Sequence, residues 1–134
     1  YDINLVVDIK KAASFDIGIR GATIHYDAVK KMIYCGGNAI GNTFIPDKWQ
    51  TAATSKKNVF NNMGEAPLLP TNGKISLRIL IDRTTIEIFG NEGAVVMSSC
   101  YVPEEAIFYT LSTRGEIQIT ANIHNLKSAW EGKK

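Results

Sequence analysis

The chain has little of what marks most functional classes. Its 134 residues include two cysteines, Cys35 and Cys100, which lie 65 positions apart with no CxxC pair and no Cys/His set at ligand spacing. That excludes a redox motif or a zinc ribbon and leaves open whether the two stay free or pair. His25 and His124 share no ligand spacing, so no metal is expected. No Gly-rich loop opens a helix, since Cys35-Gly36-Gly37 follows a strand, and no cofactor is expected. No apolar run approaches the ~20 residues that cross a bilayer, so no membrane partner is expected. Basic residues never exceed two in a row, and 15 of them against 13 acidic residues leave a net charge of +2. A nucleic-acid surface is therefore not expected. A signal peptide and an initiating Met are also missing; a fragment of a longer polypeptide would read this way.

What the chain does have is alternation. Ile3, Leu5, Val7 and Ile9 share one face, against Asp2, Asn4 and Asp8 on the other. Phe15, Ile17 and Ile19 repeat the pattern up to Gly21, and Ile24 and Tyr26 follow. A polar turn over 27–31 then leads into Met32-Ile33-Tyr34. A period of two marks strands that bury one face only. Residues 36–74 break it: five Gly, three Pro and six Asn predict an irregular segment with one strand near 57–61. Irregular stretches of such length inside a domain are often functional. Strands resume at 75–82, 86–90 and 94–101. Residues 106–112 and 116–124 read as a closing hairpin around Thr113-Arg114-Gly115, with Ile117, Ile119, Ala121 and Ile123 facing in. The expectation is one all-β domain over 1–134, an antiparallel two-sheet β-sandwich of jelly-roll or lectin-like kind, with under ~10% helix.

One stretch is distinctive: Leu77-Arg78-Ile79-Leu80-Ile81-Asp82-Arg83-Thr84-Thr85-Ile86-Glu87-Ile88-Phe89-Gly90-Asn91-Glu92-Gly93. It resembles the C-terminal β-sandwich domain of glycoside hydrolase family 32, the invertases, inulinases and levanases. It differs only at Thr84-Thr85, where that family carries serines. Thr23-Ile24-His25-Tyr26-Asp27, Ala66-Pro67-Leu68 and the closing Leu126-Lys127-Ser128-Ala129-Trp130 support the resemblance across nearly the whole chain. Tyr34-Cys35-Gly36-Gly37 departs from it, where relatives often carry Asp-Arg-Ser, so no role is carried over for that loop. The resemblance implies a non-catalytic C-terminal module whose partners are a fructan or fructose-containing oligosaccharide and an N-terminal catalytic propeller of the same polypeptide. It also implies a secreted or periplasmic setting. The propeller's signatures Asn-Asp-Pro, Arg-Asp-Pro and Glu-Cys do not occur in the chain, so no catalysis is expected from it alone.

The candidate ligand-binding residues are Asp82, Arg83 and Glu87, with Trp49 bordering them. Pairing Ile81 with Ile86 across the turn puts Glu87 opposite Leu80 on the outward face and Phe89 opposite Arg78. One reading is an Arg78–Glu87 cross-strand ion pair with Asp82 bonding the turn amides. The other is a sugar patch, in which carboxylates accept from adjacent hydroxyls and a guanidinium donates in a fixed fork. A glycosidase needs two carboxylates about 5–5.5 Å apart in retaining enzymes, one with its pKa raised by burial; outward sheet positions offer no such burial. Trp49 is either a stacking platform or a cover for the core edge. Trp130 reads as packing the last segment. The outward apolar residues Val6, Leu80 and Phe89 suggest a docking face instead.

Overall fold

The computed structural model describes residues 1–37, 64–101, 103 and 109–127. Ten strands and no helix lie within them. They form two five-stranded sheets, each antiparallel throughout. Sheet A contains β1 (Asp2–Asp8), β6 (Lys74–Ile81), β7 (Thr85–Gly90), β8 (Val95–Cys100) and β10 (Gln118–His124), in the order β10-β1-β6-β7-β8. Sheet B contains β2 (Ser14–Ile19), β3 (Ala22–Asp27), β4 (Met32–Gly37), β5 (Gly64–Pro67) and β9 (Tyr109–Arg114), in the order β5-β4-β3-β2-β9.

The period-2 pattern explains the layering. Ile3, Leu5 and Val7 of β1, Ile75, Leu77, Ile79 and Ile81 of β6, and Ile86 and Ile88 of β7 point inward and are buried. They meet Phe15, Ile17 and Ile19 of β2, Ile24 and Tyr26 of β3, and Ile33 of β4. Each such side chain contributes about 1.5–3 kcal/mol through burial, so alternation on this scale holds the two layers together. Turn chemistry fits the hairpins. Arg20 and Gly21, at φ 49° and 91°, join β2 to β3 in the left-handed region that suits a two-residue hairpin loop. Asp27 Oδ1 accepts from the amides of Val29 and Lys30 at 3.0 and 2.9 Å, which closes the polar turn before β4.

The closing hairpin expected over 106–112 and 116–124 does not form. β9 pairs with β2 in sheet B, whereas β10 pairs with β1 in sheet A. The chain crosses between the layers at Arg114-Gly115-Glu116, beside the β1–β2 crossing. Ala13 N donates to Arg114 O at 2.7 Å, and Gly115, at φ 106°, lies so close that a Cβ there would fall 2.6 Å from Lys11 O. A lone two-stranded ribbon is marginal in water; docking each strand on the edge of a sheet secures a full ladder for both. The expected inward orientation of Ile119, Ala121 and Ile123 agrees with the register to Val7, Leu5 and Ile3. Their burial does not, because Ile123 is 56% exposed. The strand expected near 57–61, Trp49 and Trp130 lie outside the described residues. Cys35 is buried, Cys100 is exposed, and both are free thiols.

Candidate functional site

The outer face of sheet A carries the polar half of every alternating strand. One row across it reads His124, Asp2, Leu80, Glu87, Ser98; the next reads Asn122, Asn4, Arg78, Phe89, Val96. A third brings Thr120, Val6 and Ser76 together. Over the second and third rows lies a groove of about 400 Å³, lined by Asn4, Val6, Ser76, Arg78, Phe89, Glu92, Thr120 and Asn122, with backbone from Leu5 and Leu77. β1 and β6 make its floor. β10 forms one side, and Phe89 with the Glu92-Gly93 turn forms the other. A second hollow of about 270 Å³ shares Val6, Ser76 and Glu92 and continues over Thr71, Lys74 and Asn91.

Arg78 is fixed in this groove. Its Nε and Nη2 donate to the two carboxylate oxygens of Asp2 at 3.1 and 2.8 Å, and Asn4 Nδ2 donates to the same carboxylate at 3.2 Å. The guanidinium beside Asp2 holds its carboxyl below the usual carboxylate range, so the pair stays charged at neutral pH. Of the five guanidinium N–H donors, Asp2 takes two, which leaves three outside that pair. The rest of the lining is amide, hydroxyl, one half-buried aromatic ring, the Val6 side chain and the Glu92 carboxylate. With the Arg charge matched by Asp2, the surface suits a neutral polyhydroxylated molecule better than an anion.

The wall of the groove is held by Asn91. Its Oδ1 accepts from Ser76 N at 3.0 Å, its Nδ2 donates to Leu69 O at 2.7 Å, and its own N–H donates to Ser76 O at 2.8 Å. Asn91 sits at φ 46° and Gly93 at φ 92°, conformations that Asn and Gly adopt readily. Gly90 is required nearby, since a Cβ there would lie 2.8 Å from Leu68 Cδ1. Leu68 is itself buried, and its carbonyl accepts from the Tyr26 hydroxyl at 3.0 Å.

Of the residues singled out from sequence, Asp82, Arg83 and Glu87 do not line this groove, and Trp49 lies outside the described residues. The Ile81–Ile86 pairing holds, and Glu87 lies opposite Leu80, exposed, one row from Arg78. Asp82 and Arg83 are exposed in the β6–β7 turn, where Asp82 Oδ1 accepts from Arg83 N at 2.8 Å. The Arg78–Glu87 ion pair is absent. Asp2 captures Arg78 because β1 is its neighbour on the other side and presents a bidentate carboxylate. Neither Asp82 nor Glu87 has the burial that raises a glycosidase acid. His25 contacts Asp16, Nδ1 to Oδ1 at 2.7 Å, and no group of three metal-ligating side chains occurs among the described residues. Val6 and Phe89 stand among Asn4, Ser76, Arg78 and Thr120, with Leu80 one row away and Val96 beside Phe89. Reading the sequence alone missed Asp2, Asn4, Thr120 and Asn122 as site residues. Alternation marked them as outward and polar, but only the pairing of β1 with both β6 and β10 brings them together.

Two five-stranded antiparallel layers define an all-β sandwich module. The chain belongs to the family described as glycosyl hydrolases family 32 C terminal, whose model matches residues 1–127. It is 34% identical to a levanase of Bacillus sp. (strain L7) over 71% of this chain and 11% of that protein. It is 28% identical to the levanase of Bacillus subtilis (strain 168) over 97% of this chain and 19% of that protein. In fold it matches an exo-inulinase from Aspergillus awamori with a TM-score of 0.73 at 23% identity, covering 96% of this chain and 25% of that one. The chain thus spans a quarter or less of the length of these three proteins.

Proposed function

We propose that the chain is the C-terminal, non-catalytic module of a fructan- or sucrose-hydrolysing enzyme, and that the outer face of sheet A binds fructan for it. The levanases and the exo-inulinase among its relatives support the substrate class. The observation that carries the reading is the Asp2-clamped Arg78 beside Phe89 in a groove of amides and hydroxyls. Glu87 lies one row from Arg78, toward the β6–β7 turn that carries Asp82 and Arg83. The continuation over Thr71 and Lys74 gives length for more than one sugar ring.

Calorimetry of this chain with levan- and inulin-derived oligosaccharides tests it. Arg78→Lys keeps the charge but loses the fork. The lost charge-assisted bonds correspond to about 1.5–3 kcal/mol, so affinity should drop about ten-fold or more. Glu87→Ala and Asp82→Ala should weaken binding as well. A loss in those two with none in Arg78→Lys would move the site to the turn. No binding by the parent chain would leave the second reading.

That second reading is docking against the catalytic portion of the same polypeptide. It is favoured by the open edge between β9 and β10. By register Tyr109, Leu111 and Ile123 face the sandwich interior, opposite Ile19, Ile17 and Ile3, yet they are 49%, 55% and 56% exposed. An apolar wedge of this kind, left uncovered among the described residues, is the surface a neighbouring domain would fill.

A further inference from the structure

The polar chemistry of the groove on sheet A is spread along its length. Lys74, Ser76 and Arg78 share the outward face of β6, and Lys74 and Arg78 stand about 13 Å apart at the rise of an extended strand. The hollow around Arg78 and the hollow around Lys74 share Val6, Ser76 and Glu92, so the two are contiguous. Hydrogen-bonding groups occur on both sides of that shared stretch. Asn4, Arg78 and Asn122 lie on one side, and Thr71, Lys74 and Asn91 on the other. A site for a single chain-end sugar would gather such groups around one ring.

Glu92 occupies the middle. It is exposed in the β7–β8 turn at φ 59°, a left-handed conformation that glycine adopts without strain, as Gly93 does beside it. A glutamate held there is strained, and strain of this kind collects at ligand sites. Neither Glu92 nor Lys74 makes an ion pair among the described residues, although both line the same hollow. A hydroxyl can accept from the Lys74 ammonium and donate to the Glu92 carboxylate, so one sugar can bridge the two side chains. Formal charge along the groove cancels, Arg78 against Asp2 and Lys74 against Glu92, which favours a neutral chain over a charged one. We propose that the groove holds the interior of a fructan chain, with successive sugars at Arg78 and at Lys74 and Glu92 between them, rather than the terminal sugar alone. This rests on the fructan reading above and adds which part of the polymer is bound.

Calorimetry of this chain with linear inulin-derived oligosaccharides of graded length tests it. Affinity should rise with length until the groove is filled. Long chains should each take up more than one protein, because a linear chain has one terminal fructose and many interior ones. Glu92→Gly removes the carboxylate and relieves the backbone, so Tm should hold or rise. The same variant should weaken binding of long oligosaccharides about ten-fold. It should leave the shortest ones, which need only the Arg78 hollow, nearly unchanged. Lys74→Ala should act in the same way on binding, whereas Arg78→Lys should weaken every length. One protein per chain, with affinity independent of length, would overturn interior binding and leave fructan held at a chain end. Equal loss for short and long ligands in Glu92→Gly and Lys74→Ala would also overturn it, since the two hollows would then form one single-sugar site. No binding at any length would overturn the fructan reading itself, and this inference with it.

Discussion

Single residues of the distinctive motif divide their work unequally between fold and surface. Gly90, Asn91 and Gly93 serve the backbone: one admits Leu68, one ties β6 to the preceding loop, and one turns the chain. Of its charged members, Arg78 and Glu92 line the groove, whereas Asp82, Arg83 and Glu87 do not. Cysteine shows the same split between buried and exposed. Burial pushes the Cys35 thiol up to about 12, so it remains protonated and unreactive at neutral pH. Cys100 is exposed. Thiol titration of the native chain at pH 8 should therefore consume one equivalent of reagent, with the second appearing only on denaturation. Two equivalents in the native state would show that Cys35 is accessible.

Among the strands, β6 depends on a side chain outside itself. Asn91 satisfies both backbone groups of Ser76 and the carbonyl of Leu69. Asn91→Ala leaves Ser76 N–H without its partner at a partly buried position and Leu69 C=O without its partner at an exposed one. Loss of stability should be about 1–3 kcal/mol, measured by urea denaturation; a change below about 0.5 kcal/mol would mean water replaces the amide fully. The strands themselves were legible in the sequence wherever alternation was clean, as in β1, β2, β6 and β7. The β9–β10 hairpin was misread because two alternating runs joined by Thr113-Arg114-Gly115 look identical whether they pair with each other or with β2 and β1. Local pattern carries no information on that choice; only the open edges of the two sheets decide it. The same blindness hid half of the groove, since Asp2 and Asn122 are distant in sequence from Arg78 and adjacent to its strand or one strand away in the sheet.

For the molecule as a whole, β1 is the keystone of sheet A. It lies between β10 and β6, and it buries Ile3, Leu5 and Val7. Those side chains contribute about 5–9 kcal/mol together, comparable with the 5–15 kcal/mol that keeps a typical domain folded. A variant lacking residues 1–8 should therefore lose its cooperative thermal transition, followed by near-UV circular dichroism. Retention of a sharp transition would show that β10 can close directly on β6. Topology of this kind also makes folding slow, because the contacts that matter most join the two ends of the chain.

The pairing of Asp2 with His124 has a consequence for biosynthesis. Residue 124 is made 122 residues after residue 2, roughly 6–24 s at 5–20 residues per second. Throughout that interval the nascent first strand has one edge that nothing in its own chain can yet cover. It bears Ile3, Leu5 and Val7 on one side and Asp2, Asn4 and Asp8 on the other. Two like charges at the ends of a lone strand oppose its stacking on the same strand of a neighbouring ribosome's product. The carboxylate that later orients Arg78 thus also guards the growing chain before there is any Arg78 to orient.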